Sequence, residues 1–220
     1  MGQELTKEQI CEFWDDDRKQ LYTNLCECMI STIVDWDREY AEQNGVHFIR
    51  FIEQRLKTAD SIYEKLQRKN RIVTELKHLP EQIHDLAGIR IICFDTEQIY
   101  RVVQKIKNCS WIEVLRIKDY IRKPKRNGYQ SYHILVRVQN IKVEIQLRTI
   151  LMDAWSSLEG VLVYKKEKNI SVDLADDIKH FAKWSRRMDR MVHRMLKYQN
   201  SYQKRKDEKK YETQAIAKEH

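Results

Sequence analysis

What this chain lacks narrows it first. No apolar run approaches the roughly 20 residues that a membrane helix needs, and the N-terminus carries no signal-peptide apolar region. Both absences predict a cytoplasmic chain. Cysteine is sparse and odd in number: Cys11, Cys26, Cys28, Cys93 and Cys109 show no zinc-ligand spacing. Free thiols in a reducing compartment are expected. Cys26 and Cys28, two apart on a predicted helix, should face different sides. Only two prolines occur, Pro80 and Pro124, and there are no internal repeats or low-complexity linkers. Neither a repeat array nor a string of tethered modules is expected.

What is present is the composition of one globular domain. The 220 residues are 42% hydrophobic and 34% charged, enough for a proper core. The net charge of +8 is unevenly spread. Residues 179–210 hold twelve Lys/Arg and three Asp/Glu; the rest of the chain holds 29 basic and 30 acidic residues. The C-terminal segment therefore carries the whole excess. That points to a polyanionic partner there, with no membrane and no DNA expected.

Hydrophobic periodicity predicts helix over 5–44, with Leu21, Leu25, Cys28, Met29, Thr32 and Val34–Trp36 as an imperfect stripe closed by Gly45. A second helix is predicted from Val46 to Asn70, with Ile52, Leu56, Ile62 and Leu66 inward. A short helix through Asp85 follows Pro80. Ile89–Phe94 reads as a buried strand, 97–107 as a helix and 110–118 as a strand. Ser131–Arg148 reads as a hairpin turning at Gln139-Asn140, where Asn tolerates left-handed geometry. Ile150–Gly160 reads as a helix with Trp155 inside. The last segment is the clearest helix. Lys179, Lys183, Arg186, Arg187, Arg190, Arg194 and Lys197 fall on one stripe of roughly 100°. Ile178, Phe181, Met188, Met191, Val192 and Met195 are predicted to pack on the domain from the other side. Residues 201–220 are expected to fray. The whole is an α+β domain: a mixed sheet of four to five strands flanked by helices, with helical extensions at both ends. Its expected divisions are an N-terminal helical segment (1–47), a core (48–170) and a basic helix with a charged tail (171–220).

The chain is organised around Asp119–Thr149. Within it, Ile141–Arg148 alternates strictly between apolar and polar residues, the mark of a half-buried strand. Ile141, Val143, Ile145 and Leu147 face a core; Lys142, Glu144, Gln146 and Arg148 share the other face. One carboxylate among cations on an open sheet face can serve as a base beside a phosphorylated substrate. Lys123, Lys125 and Arg126 crowd around Pro124, and Asn127-Gly128 signals a turn. Tyr129 stands beside Gly128, so a flat ligand could approach its ring. His133 falls in the partner strand. From residue chemistry alone a solvated basic hairpin remains equally open.

The run DYI-x-x-PK-x-NGY-x-S-x-H followed by EIQLRT resembles the synthetase domain of the RelA/SpoT family. Upstream, Arg55-x-Lys57-x-x-x-Ser61-x-x-x-Lys65 and Asp85-Leu86-Ala87-Gly88-Ile89-Arg90 agree; downstream, Trp155 and Tyr164-Lys165 agree. The likeness covers residues 48–197, and four motifs in the right order are highly specific where any one would be weak. The resemblance implies a nucleotidyltransferase-like synthetase fold and transfer of pyrophosphate from ATP to a ribose 3′-hydroxyl with release of AMP. It implies Asp85 as a Mg²⁺ ligand and Glu144 as base or second metal contact. Arg55 and Arg90 would sandwich adenine, while Lys57, Ser61 and Lys65 would hold ATP phosphates. Tyr129 would stack on the acceptor base, with Lys125, Asn127, His133 and Gln146 positioning the acceptor.

Two acceptors are known in the family: GDP or GTP, giving (p)ppGpp, and the 3′-CCA end of tRNA, modified by toxins that antitoxins neutralise. Gly160 stands where the family commonly has His, and the link between the two central strands is very short. These departures and the basic helix favour tRNA, with Arg186, Arg187, Arg190 and Arg194 as its surface. GDP or GTP is the alternative acceptor, and an inactive RNA-binding module is a third reading. An antitoxin and self-association remain open as partners.

Overall fold

Short polar side chains start nearly every helix. The computed structural model describes residues 5–71, 73–164 and 171–216. Thr6 opens α1 (Lys7–Phe13) with a capping box completed by Gln9, and Asp15 opens α2 (Asp16–Asn44) by accepting from the Arg18 amide. Gly45 ends α2 at a φ of 69°, the left-handed geometry that glycine adopts without a Cβ penalty. The buried side of α2 is Tyr22, Leu25, Cys26, Met29 and Ile33. Leu21, Cys28 and Val34, predicted inward, face out. Cys26 and Cys28 do face different sides, and all five cysteines are free thiols.

The largest departure lies at residues 46–57. The predicted helix is instead β1 (Ile49–Leu56), and only Ala59–Arg68 is helical, as α3. Ile52 and Leu56 sit four apart, as on a helix. Pairing with one neighbouring strand overrides that spacing. As an edge strand, β1 exposes Arg50, Phe51 and Arg55 and half-buries the rest, so it shows no clean alternation. A 3-10 turn (Leu76–His78) runs into α4 (Leu79–Gln82), and then comes β2 (Ala87–Cys93).

From β2 the chain crosses through α5 (Thr96–Asn108) and builds β3 (Glu113–Asp119), β4 (Tyr132–Val138) and β5 (Ile141–Thr149). The sheet order is β1-β2-β5-β4-β3. All pairings are antiparallel except β2 with β5, so the sheet is mixed. At the β4–β5 turn it is Gln139, at φ 46°, that takes the left-handed position predicted for Asn140. Alternation along the strands sends Ile89, Ile91, Ile134, Val136, Val143, Ile145 and Leu147 into the core with α5's Ile99, Val102, Val103 and Ile106. Helices α2 and α5 pack on that side. His133, Glu144 and Gln146 are left on the other face.

Thr149 caps α6 (Ile150–Glu159), which continues as a π turn through Tyr164. Lys165 of the Tyr-Lys pair lies outside the described residues. The long α7 (Val172–Ile216) remains helical where fraying was predicted. Its docking face also differs from the expectation. Ile178, Ala182, Ser185 and Asp189 are buried, whereas Met188, Met191 and Met195 are 47–66% exposed. Small and polar residues make the contact because the bonds at this interface need them. The Trp155 indole donates to the Ile178 carbonyl at 2.9 Å, Thr149 donates to Asp189 at 3.1 Å, and His193 meets Asp95 at 2.8 Å.

Candidate active site

One cleft opens on the polar face of the sheet. It is half open to solvent, has a cavity volume of about 80 Å³, and is lined by Glu53, Arg55, Lys57, Asp85, Gly88, Ile89, Arg90, Glu144 and Gln146. Three elements deliver its basic half. Arg55 ends β1, Lys57 follows it, and Lys65 comes from α3. The four upstream residues expected on one helix are thus split between a strand and a helix. Two of them still converge: Lys57 Nζ is 3.1 Å and Lys65 Nζ 2.6 Å from the carboxylate oxygens of Asp85. Burial alone would raise the Asp85 pKa, but the two lysines outweigh it and hold the carboxyl below its ordinary value. Ser61 stays in the first turn of α3, where its hydroxyl accepts from Thr58 at 2.9 Å. Arg90 on β2 donates to Glu53 at 2.9 Å, across the Glu53–Arg90 register of β1 and β2. Arg55 and Arg90 both line the cleft, on neighbouring strands.

The parallel pairing of β2 and β5 sets Gly88 opposite Glu144 and Arg90 opposite Gln146. A Cβ on Gly88 would sit 3.3 Å from the Glu144 carbonyl oxygen, a tight fit at the floor of the cleft. Glu144 is largely buried, which favours its protonated form. Hydrogen bonds from His133 Nδ1 at 3.3 Å and Gln146 Nε2 at 2.9 Å prevail, so its pKa lies below the ordinary value even though Asp85 pushes it up. Asp85 and Glu144 thus face one cleft and feel each other's charge. Among the described residues no group of three or more His, Cys, Asp or Glu forms a metal cage. A carboxylate pair completed by substrate phosphates is the arrangement that suits Mg²⁺.

The residues expected to position the acceptor gather around Tyr129. Tyr129 O–H lies 2.7 Å from His133 Nε2, and its ring makes edge contacts with Tyr120, His133 and Trp155. Lys125 Nζ sits 4.5 Å from the Tyr129 ring centroid, so a stacked base would have to displace it. Asn127 shapes the turn by accepting from the Tyr129 amide and donates to Glu159. Gly128 has φ 95°, and a Cβ there would overlap the methyl of Ala182 on α7.

Sequence reasoning missed Arg148, Asp153 and Glu53. Arg148 follows Glu144 and Gln146 on the same face of β5, and its side chain is only 8% exposed. It donates to Asp153 at 2.9 Å, to Tyr129 Oη at 3.2 Å and to Gln146 Oε1 at 3.1 Å. The alternation that picked out Glu144 also contained Arg148; its partners become visible only in the sheet register. Of the α7 arginines, Arg186 donates to Gln130, next to Tyr129, at 3.2 Å. Arg187, Arg190 and Arg194 are exposed and line a separate shallow groove with His193. None of the four lines the cleft.

A family model described as a region found in RelA / SpoT proteins matches residues 54–169. Among curated proteins, GTP pyrophosphokinase YwaC of Bacillus subtilis (strain 168) is 39% identical over 160 residues, spanning 69% of this chain and 76% of that protein. Among solved structures, small alarmone synthetase 2 from B. subtilis matches with a TM-score of 0.72 at 33% identity, over 83% of this chain and 97% of the other. Small alarmone synthetase 1 from the same organism, bound to its product pppGpp, gives a TM-score of 0.73 at 26% identity, over 84% and 98%.

Proposed function

The chain belongs to the RelA/SpoT family, and from that premise we propose that it moves pyrophosphate from ATP to the 3′-hydroxyl of GDP or GTP, forming (p)ppGpp and AMP. That it is a pyrophosphokinase of the RelA/SpoT type follows from the family match and the relatives. The sequence alone favours a tRNA end as acceptor. The relatives support a guanine nucleotide better, since the curated one is a GTP pyrophosphokinase and one solved neighbour holds pppGpp.

The observation that carries the reading is the convergence in one cleft of Arg55, Lys57 and Arg90 with two carboxylates held below their ordinary pKa, Asp85 and Glu144. Arg55, Lys57 and Arg90 present charge suited to a triphosphate, Glu144 shares their cleft, and Lys65 reaches it through Asp85. Arg55 and Arg90 hold the adenine by stacking guanidinium planes on it. Lys57 and Lys65 release Asp85 to meet phosphate oxygens, and Ser61 adds a hydroxyl. Tyr129, once Lys125 swings aside, presents its ring to guanine, while Asn127, His133 and Gln146 fix the acceptor. The acceptor oxygen then attacks the β-phosphorus. The new O–P bond forms as the bond to the α-phosphate oxygen breaks, AMP leaves, and the hydroxyl proton passes to Glu144. Asp85 and Glu144 would hold Mg²⁺, which supplies neutralisation of phosphate charge when bound.

The test is incubation with ATP labelled in its β-phosphate, with GDP, GTP or bulk tRNA. We expect label in a guanosine product and AMP in equal amount. Label in tRNA alone would reverse the acceptor. The tRNA reading keeps one observation in its favour, the exposed Arg187, Arg190 and Arg194 on α7.

A further inference from the structure

Two chains of hydrogen bonds leave Arg148 and end on the two oxygens of Glu144. On one, Arg148 Nη2 lies 3.2 Å from Tyr129 Oη, Tyr129 Oη 2.7 Å from His133 Nε2, and His133 Nδ1 3.3 Å from Glu144 Oε1. On the other, Arg148 Nη2 lies 3.1 Å from Gln146 Oε1, and Gln146 Nε2 2.9 Å from Glu144 Oε2. The ends of both chains have fixed roles. A guanidinium only donates, and an ionised carboxylate only accepts. Each group between must then receive from the Arg148 side and donate towards Glu144. Tyr129 receives from Arg148 and gives its one hydrogen to His133 Nε2. The neutral imidazole consequently carries its proton on Nδ1, facing Glu144. Gln146 turns its oxygen to Arg148 and its amide nitrogen to Glu144. Asp153, 2.9 Å from Arg148 Nη1, anchors the guanidinium from behind.

We propose that Arg148 is a positioning residue that sets the hydrogen-bond direction of both chains, so that His133 is held as the Nδ1–H tautomer and both His133 and Gln146 turn a donor to Glu144. The proposal rests on Glu144 being the proton acceptor only for its catalytic consequence; the tautomer does not depend on that reading. Two donors on the side away from substrate hold the Glu144 carboxylate in one orientation, and it still lines the cleft. Without Arg148, His133 and Gln146 are free to reverse, and each reversal sets an acceptor against the carboxylate and turns it from that orientation.

The experiment uses the full chain and two readouts. ¹⁵N NMR of histidine-labelled protein without substrate at pH 8 reports the His133 tautomer, assigned by loss of its signals in His133→Gln. We expect Nδ1–H in the natural chain and a shift towards Nε2–H in Arg148→Gln, which can accept as well as donate. The kcat for AMP formation, separated from KM, is the second readout. It should fall about tenfold in Arg148→Gln, the scale of one hydrogen bond, with the KM for ATP little changed. It should largely recover in Arg148→Lys, which donates and cannot accept. A natural chain with Nε2–H, or a doubly protonated imidazole at pH 8, overturns the proposal even if every variant misfolds. So does a kcat that falls equally in the Gln and Lys variants. A chain that makes no AMP defeats the proposed function and leaves the tautomer measurement standing.

Discussion

Burial pulls the pKa values of Glu144 and Asp189 up alike, yet their partners leave one below and the other above its ordinary value. Glu144 has two donors and stays ionised below its ordinary pKa. Glu144→Gln keeps the shape and loses the proton acceptor. Turnover should fall roughly 10²–10⁴-fold with ATP binding little changed. Normal turnover in the purified variant would remove Glu144 from the chemistry. Asp189 is 5% exposed, receives one bond from Thr149 and feels the charge of Asp95; burial chiefly raises its pKa to about 6. The folded chain thus keeps a proton there that the unfolded chain releases near 3.8. The stabilisation is fully present below that value and is lost as pH rises through about 6. Asp189→Asn should therefore stabilise the fold at pH 7.5, on the order of 2 kcal/mol, and change little at pH 4. Equal unfolding midpoints for the two chains at both pH values would show that Asp189 is not held protonated. Glu144 was legible in the sequence because strand alternation isolates it among cations. Arg148 and Asp189 were not, since their partners lie 19 and 40 residues away and meet them only in the folded chain.

The acceptor turn between β3 and β4 is shaped from outside by α7. Gly128 combines a left-handed φ with direct contact to Ala182, so two separate penalties meet at one position. Gly128→Ala should cost about 1–2 kcal/mol for the backbone alone, and more for the clash. Pairing it with Ala182→Gly should recover only the clash. Thermal unfolding of the single and double variants separates the two, and a double variant as stable as the natural chain would mean that the backbone is unstrained. The elements themselves were unequally readable. Strand β5 is buried on one face only and writes that fact as alternation. Edge strand β1 mixes exposed and half-buried residues without alternation, and its Ile52–Leu56 spacing mimics a helix. On α7 the methionines mark an apolar side, but the helix docks through Ala182, Ser185 and Asp189. Close approach and hydrogen bonding decided that contact, and neither is written in hydropathy.

Over the whole molecule, charge and chemistry sit apart. The excess positive charge lies on α7, and the cleft lies on β1, β2 and β5. Changing Arg187, Arg190 and Arg194 to Gln should leave GDP-dependent AMP formation unchanged, since screening at physiological salt acts within about 8 Å. Were tRNA the acceptor, the same triple variant would lose labelling steeply and flatten its salt dependence, by about 0.7–0.9 in slope per lost phosphate contact. A fall in GDP-dependent turnover would tie the basic helix to the nucleotide reaction itself. The strand order has a consequence in time. Strand β5 is the last strand to be synthesised, yet it takes the middle place, between β2 and β4. Before it arrives the chain can pair β1 with β2 and β3 with β4, two ribbons with no shared edge. Their union waits on a contact between residues far apart in sequence, the slow kind to form. The strand that joins the ribbons is also the one that carries Glu144, Gln146 and Arg148. A growing chain therefore joins its two ribbons only through the strand that carries Glu144.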